Sequence, residues 1–171
     1  MSIIEKYSLE NKVIVVTGGT GILGNAFIDA IVEAGGTVGI LGRKKEVAEE
    51  RANAINAKGG KAIALVADVL DEAQLQACKQ QVLDAFGKID GLVNAAGGNM
   101  PEGVLQNNES VFNMNMEGMR KTLDINLWGT VIPTQVFGEA IAASGKGSIV
   151  NISSMNSKRA ITKVLGYNMG K

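Results

Sequence analysis

The chain has 171 residues, 46% hydrophobic and 20% charged, a balance that suits one soluble globular domain with a sizeable core. Seventeen basic and seventeen acidic residues cancel, and aromatics make up only 4%, which argues against a nucleic-acid partner. The absence of histidine excludes a Ser-His-Asp triad and a histidine metal site, so no metal is expected; the single Cys78 cannot form an intrachain disulfide and reads as an ordinary residue of a reducing compartment.

In chain order, Val13 to Val16 is a β-branched run that ends in Thr17-Gly18-Gly19 and reads as a buried strand. Ile22, Leu23, Ala26, Phe27, Ala30, Ile31 and Ala34 then recur at helical spacing, and Gly35-Gly36 stops the helix. Thr37 to Leu41 is a second strand, and Lys45 to Lys58 a charged helix ended by Gly59-Gly60. Ala62 to Ala67 is a third strand closed by Asp68, followed by a helix over Asp71 to Phe86. Gly91 to Ala96 is a fourth strand, Met116 to Ser144 a long helix, and Ser148 to Ser153 a fifth strand. Strands alternating with helices predict right-handed crossovers and a parallel sheet covered on both faces, the α/β doubly wound Rossmann-type fold. No repeat, low-complexity tract or linker divides residues 1–171, so they are expected to form a single dinucleotide-binding and catalytic domain. The N-terminus, Met1-Ser2-Ile3-Ile4-Glu5-Lys6, lacks the apolar run of a signal peptide. No segment approaches the ~18 apolar residues of a membrane span. A cytoplasmic protein without a membrane partner is expected.

Gly19-Thr20-Gly21-Ile22-Leu23-Gly24 matches G-x-G-x-x-G between a predicted strand and a predicted helix. Such a turn lets backbone approach a pyrophosphate, and the helix N-terminus supplies unpaired N–H groups. Gly18, Thr20, Gly21 and Ile22 are the candidate cofactor contacts. The acidic residue that would bond an adenosine ribose is missing after the second strand, which ends Gly42-Arg43-Lys44-Lys45. Arg43 and its neighbours would meet a phosphate on that ribose, which favours NADP(H) over NAD(H); alternatively they are a solvated helix start. Asp68, followed by Val69, is placed to accept from an adenine amino group or, equally, to cap the strand end. The irregular stretch Gly97 to Asn115 should overhang the carboxyl edge of the sheet, where ligands bind in such folds.

Tyr167 and Lys171 lie one helical turn apart, so both side chains share a face. An ammonium beside a phenol favours the phenolate and makes tyrosine a usable acid/base near neutral pH. With Thr17 to Gly24, Asp68-Val69, Asn94-Ala95-Ala96-Gly97, Asn126-Leu127 and Ile149 to Ser154, this pair makes the chain resemble the short-chain dehydrogenase/reductase family. Ile22 stands where the commonest family turn has its middle glycine. The resemblance implies that Tyr167 protonates a carbonyl oxygen and that Ser154 bonds that oxygen. It implies that Lys171 lowers the tyrosine pKa and binds the nicotinamide ribose. Asn126 would hold a water in a proton relay, unless it is a helix-bending polar residue, and Asn94 would support the cofactor near the central strand. A small-molecule carbonyl or hydroxyl substrate and a homo-oligomer, usually a tetramer, are implied with it.

Within that family, Asn94 to Pro101, Leu127 to Gln135 and Ser153-Ser154-Met155-Asn156 are most similar to the D-mannonate oxidoreductases, or fructuronate reductases. Asn99 and Asn156 would then read sugar hydroxyls, or be turn asparagines. Ala95 to Asn99 is also similar to the turn of dienoyl-CoA reductases, and 3-oxoacyl carrier-protein reductases share the scaffold. Met100, Met114, Met116 and Met119 would line an apolar pocket for such substrates, or pack helices. A non-catalytic dinucleotide-binding module is the alternative of another class. Members of the family continue well past the tyrosine–lysine pair, so residues 1–171 are expected to be an incomplete, inactive portion of an enzyme whose further sheet strands and substrate lid follow.

Overall fold

The computed structural model describes residues 7–171 and contains five parallel strands: β1 Val13–Thr17, β2 Thr37–Gly42, β3 Lys61–Val66, β4 Gly91–Asn94 and β5 Ser148–Asn151. Their order across the sheet is β3-β2-β1-β4-β5. Five α-helices connect and flank them: α1 Ile22–Glu33, α2 Lys45–Ala57, α3 Glu72–Phe86, α4 Met116–Ala143 and α5 Leu165–Gly170. The order reverses between β1 and β4, so a crevice opens at their carboxyl ends.

Alternation along the strands sorts the core into two layers. Val13, Val15, Leu65 and Leu92 pack with Leu75, Val82, Phe137 and Ile141 of α3 and α4. Val16, Val38 and Ile40 pack on the other face with Ile28, Ile31, Ala48 and Ala52 of α1 and α2. Phe137 is fully buried, and truncating such a side chain costs about 3–5 kcal/mol. Among the described residues no helix is long and apolar enough to cross a membrane.

The amino ends of the central strands are locked by Asp90. Its carboxylate accepts from the Val13 N–H at 2.9 Å and pairs with Lys12 and Lys88 at 3.3 and 3.0 Å. Burial alone would raise this carboxyl; the backbone N–H and the two ammonium groups outweigh it and hold it below the ordinary range.

Two strands are shorter than their sequence suggests. β4 stops at Asn94 because the Thr17 hydroxyl takes the N–H groups of Ala95 and Ala96, both at 3.1 Å, and draws them out of the ladder. β5 stops at Asn151 because the next carbonyl, that of Ile152, is taken by the Lys171 ammonium at 2.9 Å. Both interruptions fall at the carboxyl edge, where they shape the site. The stretch 97–115 has two short 3-10 turns, Pro101–Gly103 and Val111–Asn113, and a third, Met155–Ser157, follows β5.

Candidate active site

The glycine-rich turn closes tightly before α1. A Cβ on Gly24 would lie 2.2 Å from the Gly18 carbonyl oxygen, so no other residue fits there. Gly21 caps α1 and no side chain bonds the helix N-terminus, which leaves its first N–H groups for a ligand. Arg51 of α2 reaches over to this turn and donates to the carbonyls of Gly19 and Gly21, the latter at 3.3 Å.

A cavity of about 550 Å³ runs from this turn along the carboxyl edge. Gly18, Thr20, Gly21 and Ile22 line its floor, Arg43, Asp68 and Val69 one end, and Gly97, Gly98, Asn99 and Met100 the other. Arg43 is 71% exposed, and its guanidinium lies 4.0 Å from the Asp68 carboxylate. Asp68 Oδ1 accepts from the Leu70 N–H at 3.0 Å, while α3 is capped by Asp71. Asp68 is therefore a turn residue with its second oxygen turned to Arg43. These groups fit an elongated anionic ligand with one polar end.

Asn94 does not line the cavity. It is buried, and its amide nitrogen donates to Thr134 and Asn151, both at 2.9 Å, tying β4 to β5 and α4. Its oxygen is the one buried side-chain atom without a partner among the described residues. Its contribution is to the sheet beneath the cofactor crevice and not to a contact within it.

Helix α4 presents Thr122, Asn126 and Thr130 one turn apart on the side facing the crevice. Asn126 is buried; its amide accepts from the Gly98 N–H at 3.1 Å and donates to the Gly98 and Thr122 carbonyls at 2.7 and 2.6 Å. The side chain is thus spent on bracing the 97–98 turn. A relay at Asn126 would have to start from its backbone carbonyl, which already accepts from the Thr130 hydroxyl at 3.1 Å. Thr122 continues the brace by accepting from the Met100 N–H at 3.2 Å.

Helix α5 carries Tyr167 and lies tightly on α4. A Cβ on Gly166 would meet the Met119 carbonyl oxygen at 2.8 Å, and one on Gly170 the Asn126 Cβ at 2.7 Å. These two glycines sit one turn apart beside Tyr167 and Lys171, and their missing side chains let α5 lie against Thr122 and Asn126. The Lys171 N–H donates to the Tyr167 carbonyl at 3.2 Å, confirming one helical turn between them. The Lys171 ammonium lies against Gly97, 3.0 Å from where a Cβ would stand, and burial lowers its pKa. Among the described residues no side chain hydrogen bonds to the Tyr167 hydroxyl, which leaves it free for a substrate.

Ser154 leaves β5 toward the same region. Its hydroxyl donates to Asn156 Oδ1 at 3.3 Å and accepts from the Asn156 N–H at 3.2 Å. Asn156 is buried and donates to Asn168 Oδ1 at 2.6 Å, so its amide is committed within the protein and has little left for a sugar hydroxyl. Asn99, exposed in the cavity, keeps that opportunity. Thr17, Arg51, Thr122, Thr130 and Asn168 are given no role by the sequence alone. The period-four spacing of Thr122, Asn126 and Thr130 along one helix is the one signal that would have found some of them.

A parallel sheet with a glycine turn at its switch point, and a Tyr-Lys pair beyond its fifth strand, defines a dinucleotide-dependent oxidoreductase scaffold. Residues 12–171 match the short chain dehydrogenase family, and the chain belongs to it. It is 34% identical to the Bacillus subtilis protein UxuB, an oxidoreductase of uncharacterised activity, over 96% of this chain and 62% of that protein. A Haemophilus influenzae structure described as a candidate D-mannonate oxidoreductase, with bound NAD, superposes with a TM-score of 0.89 at 30% identity. That match covers 99% of this chain and 64% of the other. A Burkholderia cenocepacia gluconate 5-dehydrogenase in complex with NADP and tartrate gives a TM-score of 0.87 at 26% identity, with coverage of 99% and 64%. The chain therefore spans a little under two thirds of the length of these relatives.

Proposed function

We propose that the whole protein is an NAD(P)(H)-dependent oxidoreductase that interconverts a carbonyl and a hydroxyl group on a sugar acid such as D-fructuronate or D-mannonate. The observation that carries this reading is the meeting of Lys171 and Asn126 behind Gly97, which lines one end of a cavity whose floor is the glycine turn. The glycine turn and uncapped α1 fit the pyrophosphate of a dinucleotide, with Thr20, Gly21 and Ile22 around it. When bound, the nicotinamide supplies the hydride that adds to the carbonyl carbon. Tyr167 donates the proton that the carbonyl oxygen takes up, and Ser154 holds that oxygen through its hydroxyl. The Lys171 ammonium, held on the Ile152 carbonyl at 2.9 Å beside Gly97, supplies a positive charge one helical turn from Tyr167. The braces from Asn126 and Thr122 fix the 97–100 wall against which the substrate must lie.

Arg43 supports NADP(H) over NAD(H): its exposed guanidinium has only a loose partner in Asp68 and stands where a ribose phosphate would add a bidentate one. The sugar acid is supported by the substrates named in the descriptions of two relatives, D-mannonate and gluconate, and by exposed Asn99 at the substrate end. Leu127, Trp128 and Val131, 40–49% exposed along α4, support burial against another copy in a homotetramer. The test is oxidation of NADPH, followed by absorbance, with fructuronate, tagaturonate, a 3-oxoacyl thioester and a dienoyl thioester. Turnover of a uronate well above the thioesters supports the reading; preference for a thioester replaces it with a lipid reductase, and no turnover of any carbonyl leaves a dinucleotide-binding module.

A further inference from the structure

Helix α5 carries Tyr167 and Asn168 side by side. Its second contact to the rest of the protein, besides the glycine face on α4, is Asn168, the residue after Tyr167. Asn168 Oδ1 accepts from Asn156 Nδ2 at 2.6 Å, and Asn168 Nδ2 donates to the Ile161 carbonyl at 2.7 Å. Asn156 in turn accepts the Ser154 hydroxyl proton. A continuous chain of amides thus runs from the Ser154 hydroxyl, through buried Asn156, to the helix residue beside Tyr167.

We infer that Asn156 and Asn168 form a positioning pair that sets the Ser154 hydroxyl and the Tyr167 phenol at a fixed separation, so that both reach one substrate oxygen. The inference rests on the proposed reductase reading. Three features of the chain suit this role. Ser154 bonds Asn156 Oδ1 at 3.3 Å, long for an O–H···O bond, so its proton is parked on the amide and is readily exchanged for a substrate oxygen. The Asn156–Asn168 bond is short and its donor is buried, so losing its partner there is costly. Asn168 also clasps the 161 backbone, so the segment between Ser154 and Tyr167 is closed into a loop with fixed ends. Neither amide needs to touch substrate or cofactor; both act through the residues they hold.

The test uses the whole protein with the uronate it turns over and the variants Asn156→Ala, Asn168→Ala and the pair combined. Each single variant is expected to lower kcat at least tenfold, because displacements of ~1 Å at reacting groups cost on the order of a hundredfold. The KM for NADPH should stay unchanged, and the double variant should be no more than about twofold worse than either single one, as groups acting as a unit behave. Asn156→Asp keeps the size and the acceptor for Ser154 but removes the donor to Asn168; it should lose kcat like Asn168→Ala, and it decides the matter if the alanine variant does not fold. Native kcat in a folded Asn156→Asp, multiplying losses in the double variant, or an equal loss of NADPH affinity would each overturn the pair. Absence of turnover in the unsubstituted protein would instead overturn the reductase reading on which the pair rests.

Discussion

Gly166 puts the packing of the catalytic helix to a direct test. Replacing it with alanine places a methyl group 2.8 Å from the Met119 carbonyl oxygen and 3.2 Å from Met119 Cγ and Thr122 Cβ. The oxygen belongs to the α4 backbone and cannot swing aside. Restoring an ordinary contact of 3.4 Å opens the α4–α5 interface by about 0.6 Å, and Tyr167, the next residue, moves with it. Overpacking of this kind costs about 1–3 kcal/mol, against a helix-propensity gain of about 1 kcal/mol. Stability should therefore fall by about 0–2 kcal/mol. The catalytic effect should be larger in proportion, since a shift of just over half of ~1 Å in a reacting group corresponds to about tenfold in rate. The control is Gly138→Ala on α4, where the added Cβ meets only Ile149 Cδ1 at 3.9 Å and stability should rise slightly. Steady-state kcat and a thermal melt on both variants read this out. Native kcat in Gly166→Ala would refute the claim that the glycine contact positions Tyr167.

Three further outcomes follow from the site and its supports. Tyr167→Phe should abolish carbonyl reduction while NADPH affinity, measured by fluorescence titration, stays within a few-fold, because the phenol supplies the proton and not the binding. Arg43→Ala should weaken NADPH by about tenfold or more and leave NADH nearly unchanged, since only the former offers a ribose phosphate to the guanidinium; equal losses would reject that assignment. Asp90→Ala should destabilise by about 1–3 kcal/mol at neutral pH by leaving the Val13 N–H unpaired. Because the folded carboxyl is held below its unfolded value of about 3.9, its contribution is complete above that pH and is lost as pH falls through the folded value. The gap in melting temperature between Asp90→Ala and the unsubstituted protein should accordingly narrow in acid.

The parts of the fold that local pattern dictates were legible in the sequence. The β-branched run at Val13, the glycine turn and the apolar period of α1 together give a strand, a tight turn and a helix, and the structure has them in place. The long helix over Met116–Ala143 survives Pro133 in its interior because the surrounding apolar face packs on the sheet. What sequence could not show is where long-range polar groups take over. The ends of β4 and β5 depend on Thr17 and Lys171, which are far from those strands in the chain. Asn94, Asn126 and Asn156 all read as groups near a ligand. In three dimensions each is buried and committed to β5, to the 97–98 turn and to Ser154 respectively. An amide has four hydrogen-bonding positions, and only the folded neighbours decide which are taken.

The central claim is that this chain's Tyr167, Ser154 and Lys171 serve reduction of a sugar-acid carbonyl. It is tested most directly by mixing the whole protein with NADPH and D-fructuronate and following the reduced-nicotinamide absorbance. The account predicts oxidation of one NADPH for each hydroxyl formed, and no oxidation with Tyr167→Phe. Loss of NADPH that continues in Tyr167→Phe, or its absence with the uronate alongside brisk turnover of a thioester, would contradict it.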